Sequence, residues 1–198
     1  MPVYVGVMLE LKTRCPQNRS VTPSAGCRKT GGDASRFLLR YHWRMDYQTK
    51  LKTPFGVLGI QCTDDALTGI GFLAPNTKPQ APHNAFAQTV CEQLTAYFAD
   101  PDFHFDLPLR LNSTAHQNKV WQAMRAIPRG QTRQYGELAA QFGSSARAVG
   151  QACGNNPIPI VIPCHRVVSK SGVGGFMHHS DGYALDIKRW LLAHEGVT

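Results

Sequence analysis

Long apolar runs are missing from this chain of 198 residues. No segment approaches the roughly 18–20 apolar residues that a membrane-spanning helix requires. The first ten residues, MPVYVGVMLE, lack a basic leader and a small-residue cleavage site, so no signal peptide is expected. Paired cysteines are missing too. Cys15, Cys27, Cys62, Cys91, Cys153 and Cys164 fall without any CxxC spacing. With no export signal, that pattern favours reduced thiols over a disulfide framework. The protein is therefore expected inside the cell, in the cytoplasm if bacterial. His178 and His179 are adjacent but lack a spaced partner set, so no metal is expected and no cofactor is implied.

Acidic residues are scarce and unevenly spread. Residues 1–40 carry seven Lys and Arg against two acids, a net +5, and residues 113–198 carry nine against four, again +5. Residues 41–112 carry five against seven, a net −2. A basic final third beside a mildly acidic middle suits a polyanionic partner, or simply a solvated basic surface. Residues 1–40, with SVTPSAG and KTGGDAS, show no sustained period and are expected to be a disordered basic extension.

What is present sharpens from Tyr41. Residues 53–60 and 67–73 read as two strands joined through Thr63-Asp64-Asp65. Phe86, Val90, Leu94 and Tyr97-Phe98 recur at helical spacing, predicting a helix over 84–99 that ends before Asp100-Pro101. Phe103, Phe105 and Leu107 alternate as a third strand would. Residues 41–112 thus read as an α/β domain, and residues 113–198 as a second. In the second, Val120, Trp121, Met124 and Ile127 give a helix that stops before Pro128. A short helix from Tyr135 to Phe142 ends at Gly143, and Ser144 or Ser145 can cap the next, ARAVGQAC. That is a helix-turn-helix pattern carrying Arg147, weak by itself because many helical hairpins bind nothing. Leu185, Ile187, Trp190, Leu191 and Leu192 form a closing helix.

The most pointed stretch is PIPIVIPCHRVV, residues 157–168. Its apolar residues suit a strand buried on both faces, and Pro163 ends regular structure where Cys164 appears. A thiol at the rim of a core, beside His165 and Arg166, is a candidate nucleophile, because an imidazole and a cation favour the thiolate. Neighbours on an extended chain face opposite ways, so a water or a bend at Pro163 must connect Cys164 and His165. Glu195 is a candidate to orient His165.

PCHRVV, preceded by RAVGQACGNNPIPIVI and followed by SKSGVGGF and IKRWLLAHEG, closely resembles the O6-alkylguanine-DNA alkyltransferases, over about residues 50–198. The resemblance implies an α+β fold, with an N-terminal ribonuclease-H-like domain and a C-terminal helix-turn-helix, winged-helix-like domain. It implies a single-turnover suicide enzyme for direct-reversal DNA repair. A methyl or other alkyl group would pass from O6 of guanine, or O4 of thymine, to Cys164 after base flipping. It implies His165 as the water-linked base, Glu195 as its acid, Tyr135 as proton donor to the leaving base and Asn156 as the hinge. Arg147 matches the finger that fills the duplex, with small Ala146, Ala148 and Gly150 allowing close approach to the minor groove. Arg133, Ser169 and Lys170 are candidates for phosphate contacts. Val167, Val173, Gly175, Phe176 and Gly182 fall on the base pocket and the lid. The implied partner is duplex DNA carrying O6-alkylguanine, bound by a monomer, with no membrane.

The sequence departs from that pattern in places. Phe176 stands where a tyrosine is usual, Met177-His178-His179-Ser180-Asp181 lengthens the lid, and Gly154 replaces the arginine of some members. Thr63 and Thr68 occupy positions where a zinc site would want a cysteine and a histidine. Two other readings compete. A Cys/His hydrolase would need an oxyanion hole and an acyl pocket that no motif supplies. A lesion-sensing DNA binder would lack the acceptor cysteine, which is present here.

Overall fold

The computed structural model describes residues 47–197, so the expected extension over 1–40 lies outside the described residues. Three antiparallel strands begin the fold: β1 (Thr49–Thr53), β2 (Gly56–Cys62) and β3 (Leu67–Leu73), in the order β1-β2-β3. β1 was not expected. The strand proposed from Thr53 is divided by a turn at Pro54-Phe55, where Gly56 takes φ +142°. TKLKT nevertheless places Thr49, Leu51 and Thr53 on one face, with both threonines buried and Lys52 exposed on the other.

Helix α1 (Ala85–Ala99) starts at Asn84, whose side chain accepts from Ala87 N, and ends at Asp100. Val90, Leu94 and Tyr97 lie on its buried face. The strand expected over Phe103–Leu107 does not form. The Gln93 side chain brackets Asp106, donating to its carbonyl and accepting from its N–H at 2.9 Å each. Those backbone groups are thus satisfied without a neighbouring strand, and only Leu109 makes a bridge, to Leu67.

Helix α2 (Ala115–Arg125) opens on a capping box at Thr114 and Gln117. The two-residue strand β4 (Arg133–Gln134) leads into α3 (Tyr135–Gln141). Gly143, at φ +59°, turns the chain, and Ser145 caps α4 (Ala146–Gly154) by accepting from Ala148 N. The expected helix-turn-helix is therefore α3 and α4. Trp121 Nε1 donates to Ala152 O at 2.8 Å, fastening α2 across α4.

The run after α4 is buried as expected, but it is a turn rather than a strand. Ile162 N bonds back to Ile158 O at 2.9 Å, and Ile160 has φ +77°. Pro157 and Pro159 remove the donors a ladder would need. Asn156 holds this turn from inside, donating to Ile162 O at 2.8 Å and accepting from Ile158 N at 3.0 Å. A single 3₁₀ turn (Cys164–Arg166) follows, then β5 (Val167–Val168), parallel to β4, and α5 (Gly182–His194).

One apolar core runs through both halves, from Leu58 and Ile60 of β2 to Ile187 and Leu191 of α5. Ile70 N donates to Pro157 O at 2.9 Å, and Phe55 packs on Trp190 with ring centroids 5.1 Å apart. The sheet is thereby fixed against the segment that carries Cys164. Among the described residues no helix is long and apolar enough to cross a membrane.

Candidate active site

The 3₁₀ turn decides how Cys164 and His165 relate. Both side chains are buried, Cys164 at 3% exposure and His165 at 0%, so the thiol sits deeper than a rim position. His165 Nε2 lies 2.9 Å from Glu195 Oε1, at the C-cap of α5. Burial lowers the imidazole pKa below its ordinary value, against the pull of Glu195, so the ring is neutral at neutral pH. A carboxylate only accepts. Nε2 must therefore carry the proton, and Nδ1 presents a lone pair. Nδ1 is buried with no protein hydrogen-bond partner. A buried base is left with its accepting face unused.

Glu195 is the hub of this network. Its Oε1 also accepts from Tyr97 Oη at 2.8 Å and Arg166 Nη2 at 2.9 Å, and its Oε2 accepts from Arg166 Nε at 2.8 Å. Burial alone would raise the carboxyl pKa. Hydrogen bonds from His165 and Arg166 instead hold it well below the usual carboxylate range. Arg166 Nη1 donates to Ile127 O at 2.6 Å. It therefore serves the acid, not the thiol as the sequence suggested.

The cation near the thiol is Lys188, which the sequence reading missed. It is fully buried on α5 and donates to Val167 O at 2.6 Å and Gly175 O at 2.9 Å. Burial lowers its pKa to about 8, opposed by the thiols of Cys164 and Cys153. Burial pushes the Cys164 thiol up, while a hydrogen bond from Asn156 and the charge of Lys188 pull it down. A thiolate formed here is thus stabilised by Asn156 and Lys188.

A cavity of about 430 Å³ opens onto Cys164. Tyr135, Gly175 and Phe176 line it, together with Ala146, Arg147 and Gly150 of α4, which were expected at the DNA. Gln151, Cys153 and Gly154 of α4 and Met177–Ser180 of the lid complete the wall. Tyr135 Oη donates to Gly175 O at 3.1 Å, and its burial raises the phenol pKa, keeping it protonated. Val167 and Val173 are not among the lining residues, and Gly182 starts α5. Val167 is wholly buried under the site, and its carbonyl anchors Lys188. Ala148 caps onto Ser145 beside the cavity rather than within it. Arg133 is exposed on β4, Ser169 donates to Gly172 O at 2.9 Å, and Lys170 is exposed in the same turn. Among the described residues no group of three or more His, Cys, Asp or Glu is placed to hold a metal.

Comparison with known proteins points to one family. Residues 47–111 match the "6-O-methylguanine DNA methyltransferase, ribonuclease-like domain" and residues 115–197 the corresponding "DNA binding domain". The chain is 42% identical over 159 residues to the methylated-DNA–protein-cysteine methyltransferase of Mycolicibacterium paratuberculosis, covering 76% of this chain and 92% of that one. It is 38% identical over 169 residues to the constitutive enzyme of that name from Bacillus subtilis, covering 78% and 98%. Among solved structures, a Mycobacterium tuberculosis O6-methylguanine methyltransferase superposes with a TM-score of 0.63 at 38% identity, covering 74% of this chain and 90% of that one. A further M. tuberculosis structure, in complex with DNA, gives 0.62 with the same coverage and identity.

Proposed function

Because the chain belongs to the O6-methylguanine-DNA methyltransferase family, matched along both of its domains, we propose that Cys164 is the residue that takes the alkyl group. The activity is direct-reversal DNA repair, in which a cysteine of the protein itself is alkylated. The observation that supports Cys164 is its position at the base of a cavity flanked by Arg147 of α4, with a neutral His165 whose Nδ1 is free to accept a proton. The lesion is O6-alkylguanine in duplex DNA, with O4-alkylthymine a second substrate.

In this reading α4 enters the minor groove, where Ala146, Ala148 and Gly150 permit close approach. Arg133, Ser169 and Lys170 hold phosphates. Arg147 replaces the flipped nucleotide in the stack and offsets part of the unstacking cost of a few kcal/mol. A water passes the thiol proton to His165 Nδ1, while Glu195 steadies the imidazolium. Sγ then attacks the alkyl carbon. The C–O6 bond breaks with its electron pair moving into the purine, and Tyr135 returns a proton to the ring. Proton exchange through water between the imidazolium and the Tyr135 phenolate restores both groups, so the net change is one proton moved from the thiol to the base. The thioether has no route to hydrolysis, so each molecule acts once. All these groups come from one chain, which suits a monomer working inside the cell.

Replacing Cys164 by alanine should abolish transfer from an O6-methylguanine duplex while leaving lesion binding within a few-fold. Continued transfer would reject the assignment.

A further inference from the structure

The lid tip has an unusual backbone. Phe176 and His179 exchange both main-chain hydrogen bonds, at 2.8 and 2.9 Å, around Met177 and His178. Met177 has φ +50° and His178 φ +62°. Two positive φ values in a two-residue hairpin loop are those of a turn that prefers Asn-Gly. Side chains as large as methionine and histidine stay in that region only where surrounding contacts hold them. One contact is Phe176, buried against Phe72 with ring centroids 5.8 Å apart.

Another lies across the cavity. The His178 ring rests on the bare Cα of Gly154 in the last turn of α4, where a Cβ would come 2.6 Å from Nε2. Nε2 meets Oδ1 of Asn155, the C-cap of α4, at 2.9 Å. Gly154 and His178 both line the cavity that holds Cys164. The glycine at 154 and the lengthened lid thus form a matched pair: a side chain at 154 would occupy the place of the ring.

We propose that His178 is a latch that fastens the lid to the helix carrying Arg147 and so limits the size of the O6-substituent the site accepts. Gly154 is its seat and Asn155 its catch. This rests on the reading that the cavity receives the flipped base. A methyl group asks little of the wall from Gly175 to Ser180. A benzyl group requires that wall to yield, and a latched turn resists displacement.

The test compares full-length wild type, His178→Ala, Gly154→Ala and the double variant. Each is given duplex oligonucleotides carrying O6-methylguanine or O6-benzylguanine, with single-turnover rates and the alkylated peptide read by mass spectrometry. Each single variant should raise the benzyl-to-methyl rate ratio about tenfold, the scale of a steric pocket term. The double variant should gain no more than the larger single, since both changes break one contact. Unchanged ratios in both single variants, or additive gains, would overturn the latch. Thermal unfolding adds a second readout. Alanine at 154 should lower Tm beside His178 but raise it in the His178→Ala background, where only its better helix propensity remains. An equal shift in both backgrounds also refutes the contact. If wild type carries no methyl on Cys164, the reading of the site fails, whatever the ratios.

Discussion

The protonation state of one ring organises the reactive residues. Glu195 accepts from Nε2, so His165 can only present Nδ1 as a base, and burial keeps that base neutral at working pH. Glu195→Gln keeps the size of the side chain but removes the charge that stabilises an imidazolium. Single-turnover transfer should fall about 10²–10⁴-fold. Stability should fall by about 3 kcal/mol, because Arg166 loses its buried partner. The acid limb gives the sign. Glu195 has a folded pKa below its unfolded value, so its contribution is complete above about pH 4.3 and lost as pH falls toward the folded pKa. Denaturant unfolding between pH 7 and pH 3 should show that loss in wild type and a shallower one in the variant; matching slopes would mean the carboxylate is not the linked group. PCHR and Glu195 were legible in sequence because they lie in a dense motif. Lys188 and Tyr97 were not, because pairing across 98 residues, as between Tyr97 and Glu195, is a tertiary fact. Their signal was nonetheless present: each is a polar-ended side chain on the apolar stripe of its helix, Lys188 beside Leu185 and Leu191, Tyr97 beside Val90 and Leu94.

Among the elements, the pairing of α3 with α4 was readable from Gly143 and the serine caps, since turn chemistry is local. The two expected strands that do not form share one origin. Both IPIVI and FHFDL have strand-like patterns, but neither finds a partner strand. Asn156 ties the first into a turn, and Gln93 takes both backbone groups of Asp106 in the second. An apolar pattern reports burial; ladder formation also depends on which donors remain free. The helix pair carries its own prediction. Arg147 is exposed at the start of α4 and faces the cavity mouth, so Arg147→Ala should slow repair of duplex DNA by at least about tenfold, the loss of a few kcal/mol of unstacking compensation. Reaction with free O6-benzylguanine, which needs no flipping, should change little. Equal losses on both substrates would reject the finger role.

At the level of the whole molecule, the N-terminal sheet and α1 are part of the site rather than an appendage. Tyr97 reaches Glu195 from α1, His194 of α5 bonds Tyr97 O at 2.8 Å, and Phe55 and Phe98 pack on Trp190. Glu195, the acid proposed to orient His165, is therefore held from both halves of the chain. This gives the mildly acidic N-terminal half a task in holding the site, while the proposed phosphate and duplex contacts draw on the exposed Arg133, Arg147 and Lys170 of the C-terminal half. The central claim is that this assembly exists to alkylate Cys164 once. The measurement that tests it most directly is intact-protein mass, followed by peptide mapping, after incubation with excess duplex carrying a single O6-methylguanine. The account predicts one added methyl group, located on the peptide containing Cys164, with repair stopping at one lesion per protein molecule. Tight binding of the lesion without added mass, or a methyl group on another cysteine, would contradict it.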